Sequence, residues 1–98
     1  MSEEFRITPD QMRQRANQFR EQGNAFHDTV SNMQSLIDIL QDEWLGRSSQ
    51  EFANQFATLK VETFTKVEEL IGDIAGQLDG TANVYEEVEN ELASKFRI

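Results

Sequence analysis

Asp42-Glu43-Trp44-Leu45-Gly46-Arg47-Ser48-Ser49-Gln50-Glu51 is the stretch that decides the fold. Trp44 is the single Trp of the 98 residues, and it stands where one amphipathic pattern stops and another begins. Gly46 supplies the residue that a helix needs just past its last turn, where a side chain would be strained. Ser48 followed three positions later by Glu51 reads as a capping box that starts a new helix. A turn this short makes the flanking helices antiparallel neighbours.

Upstream, Thr8-Pro9-Asp10-Gln11 is a second start signal: Thr8 at the N-cap, Pro9 in the first turn, an acid, then Gln11 reaching back. Ile7 and Met12 are placed to close a hydrophobic staple over it. From there Met12, Ala16, Phe19, Gly23, Phe26, Val30, Met33, Ile37, Leu40 and Trp44 recur in alternating steps of four and three. That is a heptad seam directed at a partner helix. Downstream, Phe52, Phe56, Leu59, Thr63, Val67, Leu70 and Ile74 form one stripe, with Tyr85, Val88 and Leu92 later. Ala53, Ala57, Phe64, Ile71, Ala75 and Leu78 form a second stripe beside it.

The pattern predicts an all-α protein: helix one over about 9–44, a turn at about 45–48, helix two over about 49–90, and a tail over about 85–98, in one domain. Folding about Gly46 sets Leu40 near Phe52, Ile37 near Phe56, Met33 near Leu59 and Phe26 near Val67. Ile7 then reaches only to about Tyr85, so the chain beyond Val88 overhangs the hairpin. The two stripes of helix two span more of the helix than one neighbour covers. A lone hairpin would leave many of these side chains wet, each forgoing part of about 1.5–3 kcal/mol. The expectation is therefore that two antiparallel hairpins dimerise into a four-helix bundle. The core and dimer seam comprises Phe19, Phe26, Val30, Met33, Ile37, Leu40, Phe52, Phe56, Leu59, Phe64, Val67, Ile71 and Ile74.

Composition narrows the function by exclusion. Nine basic against eighteen acidic residues leave a net charge of -9, which repels phosphate backbones and disfavours nucleic acid as a partner. With no Cys and one His, no disulfide, thiolate or metal-ligand spacing is present. No phosphate loop or nucleophile elbow is seen, so neither a cofactor nor catalysis is expected. The start, Met1-Ser2-Glu3-Glu4-Phe5-Arg6, is acidic where a secretory signal is basic and then apolar. No stretch has the roughly 20 apolar residues that span a bilayer.

An approximately hundred-residue chain with two helices and a central Trp-x-Gly resembles the WXG family of early secreted antigen-like proteins, exported by type VII secretion systems. The family's C-terminal export pattern is a Tyr or bulky apolar residue, an acid four positions on, an apolar residue after three more and another after four. Tyr85, Glu89, Leu92 and Phe96 match it at every position. Read without the family, these residues are better taken as an extension of the bundle core.

The resemblance implies a non-enzymatic substrate or adaptor, made in the cytoplasm without a Sec signal and exported folded to the medium or envelope. It implies a homodimer, or a heterodimer with a related small protein, whose tail is read by a membrane-bound secretion ATPase. The turn motif Trp44 and Gly46 would complete that signal. Two other readings stand beside it: a chaperone-like partner of a larger effector, and a membrane-perturbing factor whose apolar face is released in acid.

Overall fold

Three α-helices carry the chain: α1 (Pro9–Glu43), α2 (Arg47–Leu59) and α3 (Thr65–Phe96). The computed structural model describes residues 7–96; the acidic start, residues 1–6, and Arg97 and Ile98 of the expected tail lie outside the described residues. A single π-helical turn, Lys60–Phe64, links α2 to α3 without interrupting the helical backbone. The result is an all-α helical hairpin, with no strand among the described residues.

Both ends of the first helix follow from local chemistry. The Thr8–Gln11 box forms reciprocally: Gln11 N–H donates to Thr8 Oγ1 at 3.1 Å, and Thr8 N–H donates to Gln11 Oε1 at 2.9 Å. Two of the helix's orphan donors are thereby satisfied. At the other end Trp44 N–H still bonds back to the Leu40 carbonyl at 2.7 Å. Gly46 then turns the chain at φ 128° and ψ 177°, a region that side chains other than hydrogen rarely enter.

The second capping box expected at Ser48 and Glu51 does not form. Helix α2 begins two residues earlier, at Arg47, with Gly46 as N-cap and no side-chain cap. Gly46 leaves the turn already directed into the helix, so Ser48 falls inside the first turn. The hydroxyl engaged is that of Ser49, which is buried and donates to the Gly46 carbonyl at 3.0 Å.

Contacts divide the chain into two units: Gln22–Ile71, and Met1–Glu21 together with Gly72–Ile98. In Gln22–Ile71 the helices run antiparallel around an aromatic core. Phe64 meets Phe26 edge-on at 5.9 Å and Phe56 at 6.1 Å, with Val30 and Ile37 buried beside them. Gly23 faces Ile71 so closely that an added Cβ would stand 3.2 Å from its Cγ2. Lys60 Nζ donates to Gln34 Oε1 at 3.5 Å, and His27 Nδ1 lies 3.1 Å from Glu68 Oε1.

The π turn explains why Phe64 is in this cluster. In an unbroken α-helix eight residues carry Phe64 about 80° round from Phe56. One inserted residue removes roughly a residue's worth of rotation and brings both rings to one side. The widened turn keeps its bonds: the Lys60 carbonyl accepts from the Thr65 N–H and, at 2.9 Å, from the Thr65 hydroxyl. Two aromatic contacts, worth about 0.5–1.5 kcal/mol each beyond their burial, favour the arrangement.

The sequence pattern, read as one uninterrupted helix, put Thr63 and Leu70 on the seam. Both are exposed, Leu70 at 58%. After the π turn Phe64 and Ile71, from the second stripe, are half-buried, as are Val67 and Ile74 of the first. Phe26 meets the Phe64 ring edge-on, and Val67 is half-buried in the same unit.

The other unit has a different interior. Among the described residues Pro9, Met12 and Ala16 of α1 and Ala75 and Ala82 of α3 are its buried residues, the three alanines at 0% exposure. Methyl-sized groups let the backbones approach closely but bury little area each. Charged clasps flank them: Arg20 pairs with Asp79, and Arg13 with Glu86. Those pairings ascend α1 as they descend α3, so the helices are antiparallel here as well.

Candidate functional site

Two candidate places carry the residues expected to be read by a partner, and each lies in its own unit. The first is the turn. Trp44 sits 6.0 Å from the Phe52 ring at a tilt of 48°, and both rings remain partly exposed. Leu45, between the two motif residues, is 86% exposed. The tilted contact with Phe52 restrains the indole while leaving part of it in water. Gly46 follows at its positive φ, so the motif's two named residues do different work. Trp44 provides a surface; Gly46 provides the only kind of backbone that makes the turn.

The second place is the end of α3, which runs on to Phe96, past the residue 90 at which the pattern placed its end. Tyr85 and Glu86 are half-buried, and every residue of 87–96 is exposed. Glu89 is open to solvent, Leu92 is 50% exposed and Phe96 80%. Helical spacing puts Tyr85, Glu89, Leu92 and Phe96 within about 40° of one line. The line is apolar with a single acid one turn in.

The expected seam residues divide three ways. Val30, Ile37 and Phe56 are buried. Phe26, Met33, Phe64, Val67, Ile71 and Ile74 are half-buried. Phe19, Leu40, Phe52 and Leu59 are exposed, as are Leu36, Ile39, Val84 and Val88. In a hairpin of this size, so many exposed large side chains amount to an unfilled apolar face.

Sequence reading missed the side chain that meets the base of the tail. The Arg13 guanidinium donates to both carboxylate oxygens of Glu86, at 2.9 and 2.7 Å, to Asn83 Oδ1 at 2.8 Å, and at 3.4 Å to Asp10. The fork-to-fork bonding holds the Glu86 carboxyl below its ordinary value of 4.5, the hydrogen bonds from Arg13 outweighing partial desolvation. The same bonds raise the guanidinium. Residues 13 and 86 are far apart in sequence, so no local signal links them. His27, the one His of the chain, is mostly exposed and paired with Glu68. Among the described residues no group of His, Asp or Glu could hold a metal ion, and no helix is long and apolar enough to cross a membrane.

An all-α hairpin with a Trp-x-Gly turn and an exposed amphipathic end defines a class of small helical proteins. The chain belongs to the WXG100 family, proteins of 100 residues with WXG, which it matches over residues 4–90. It is 33% identical over 93 residues to Protein YukE of Bacillus subtilis (strain 168), covering 95% of each chain. Its fold is similar to that of Geobacillus thermodenitrificans EsxA, crystal form I, with a TM-score of 0.79 and 26% identity, covering 94% of this chain and 100% of that one. With the family goes the type VII secretion class that the resemblance implied.

Proposed function

We propose that this protein is a non-enzymatic export substrate and adaptor of a type VII secretion system, carried folded as a homodimer. The tail line Tyr85, Glu89, Leu92 and Phe96 is the ligand that a membrane-bound secretion ATPase reads, and the Trp44–Gly46 turn contributes a second element of the signal. One observation carries this reading: ten consecutive residues, 87–96, stay helical and exposed while presenting an apolar line that no described residue of their own unit buries. An amphipathic helix of that kind suits an apolar groove on a receptor. A charge of -9 favours a protein receptor over an anionic membrane surface.

The unfilled apolar face supports the dimer. Leu36, Ile39, Leu40, Phe52, Leu59 and Leu70 are all exposed in one unit, and covering them with a second copy yields the four-helix bundle. A related small protein encoded nearby would fill the same face as a heterodimer.

Blotting the culture medium for the full chain and for a chain ending at Val84 tests the export reading. The expected result is full-length protein in the medium and the truncated chain retained in the cell. Equal release of both chains would remove the tail from the account.

A further inference from the structure

A ten-residue helix alone in water is marginal, because isolated helices shorter than about 12–15 residues rarely hold. Residues 87–96 are such a segment, without burial of their own. They grow from a packed base whose last members are Ala82, fully buried, and Tyr85 and Glu86, half-buried. The order of the tail therefore depends on what holds that base.

Arg13 holds it. One guanidinium nitrogen donates to Glu86 Oε1, and the other donates to Glu86 Oε2 and to Asn83 Oδ1, all within 2.7–2.9 Å. Asn83 and Glu86 are a turn apart on α3, so a planar, rigid group bonded to both restrains the helix's rotation as well as its height. Their side chains lie about 100–160° round from Tyr85. The grip is thus on the flank, away from the line formed by Tyr85, Glu89, Leu92 and Phe96.

We propose that Arg13 is a positioning residue for export: by clasping Glu86 and Asn83 it fixes where the free part of α3 begins and the direction in which the four tail residues are offered to the receptor. The proposal rests on the reading of those four residues as the export signal. A ligand helix held in its bound form loses less freedom on docking than a frayed one, and so binds more tightly. Arg20, paired with Asp79 in the same unit, lies about two turns back from the tail and acts on a part of α3 that is already packed.

The test uses the full chain in cells carrying the secretion machine, with amide hydrogen exchange on the purified protein. In Arg13→Ala and in Glu86→Gln, exchange over residues 83–91 accelerates by about tenfold, the opening being local. Released protein falls by about tenfold, as loss of a preorganised charge-assisted contact weakens receptor binding. Arg13→Glu combined with Glu86→Arg restores both, and Arg20→Ala stays within about twofold of the parent, as an ordinary surface pair does.

Leu92→Ala tests the underlying reading. If that variant is exported normally, the tail is not the signal and the inference falls with it. If Leu92→Ala is retained while Arg13→Ala and Glu86→Gln are exported like the parent, the signal stands and the clasp is overturned. Equal losses in Arg20→Ala and Arg13→Ala overturn it too, since the effect is then general stability. Circular dichroism accompanies each variant; should Arg13→Ala unfold, Glu86→Gln, which keeps the side chain's volume, decides.

Discussion

The unit Gln22–Ile71 and the unit that contains both the start of α1 and the end of α3 are built from the same two helical strokes but held by different physics. The first is packed by volume. Phe26, Phe56 and Phe64 share one cluster, and Trp44 lies on Phe52. The second is packed by proximity: Ala16, Ala75 and Ala82 bring the backbones together, and Arg13 and Arg20 tie them with carboxylates. Apolar volume is indifferent to acid and salt, whereas ion pairs respond to both. The part of the chain whose end we propose is read by a receptor is thus the part whose hold can be loosened without unpacking an aromatic core.

The largest test of that contrast is Phe56→Ala. Truncating a buried aromatic costs about 3–5 kcal/mol, which for a single small hairpin is much of its stability. Urea unfolding followed by circular dichroism is expected to show that loss, unchanged between neutral and acidic buffer. A loss below about 1 kcal/mol would mean the aromatic cluster is not what holds this unit.

Next in size is Ala82→Leu. Ala82 has no exposed surface, so three more carbons must push the helices apart, at about 1–3 kcal/mol. Thermal unfolding measures it. A neutral or stabilising outcome would show that the alanine contact is looser than its burial implies.

The smallest effect separates the two kinds of packing by pH. The Glu86 carboxyl is held below its ordinary 4.5 by Arg13, so its folded value lies under its unfolded one. Its stabilising contribution is complete above that ordinary value and is lost as pH falls through the lower, folded value. The parent should therefore exceed Glu86→Gln in unfolding free energy at neutral pH, with the difference closing in acid well below 4.5. A difference that persists there would assign Glu86 a packing role instead. High salt should narrow the gap at neutral pH, the screening length at 1 M being about 3 Å.

How much of this was legible in the chain can be argued residue by residue. Thr8 and Gln11 cap α1 as their spacing indicates, because a capping box is a local device requiring nothing beyond four residues. Gly46 turns the chain for an equally local reason. The same local reasoning misassigned Ser48, since two overlapping start signals compete within one turn and the backbone angle of Gly46 chooses between them. The Arg13 clasp was beyond reach: opposite charges on two helices can meet in several ways, and a shift of one turn changes every partner.

What the chain determined by itself is the set of quantities written in short-range periodicity: two helical stretches, the turn between them, a wide apolar face, a strongly acidic surface and the tail spacing at Tyr85, Glu89, Leu92 and Phe96. What only the tertiary structure decided is how Phe64 of the second stripe comes to share one side of the helix with Phe56 of the first. That arrangement depends on a single π turn at Lys60–Phe64, and a π turn forms only where distant partners repay its weaker geometry. Phe26, 38 positions before Phe64, is such a partner. Because helical phase accumulates along the chain, that contact bears on the facing of the residues that follow it within the same unit.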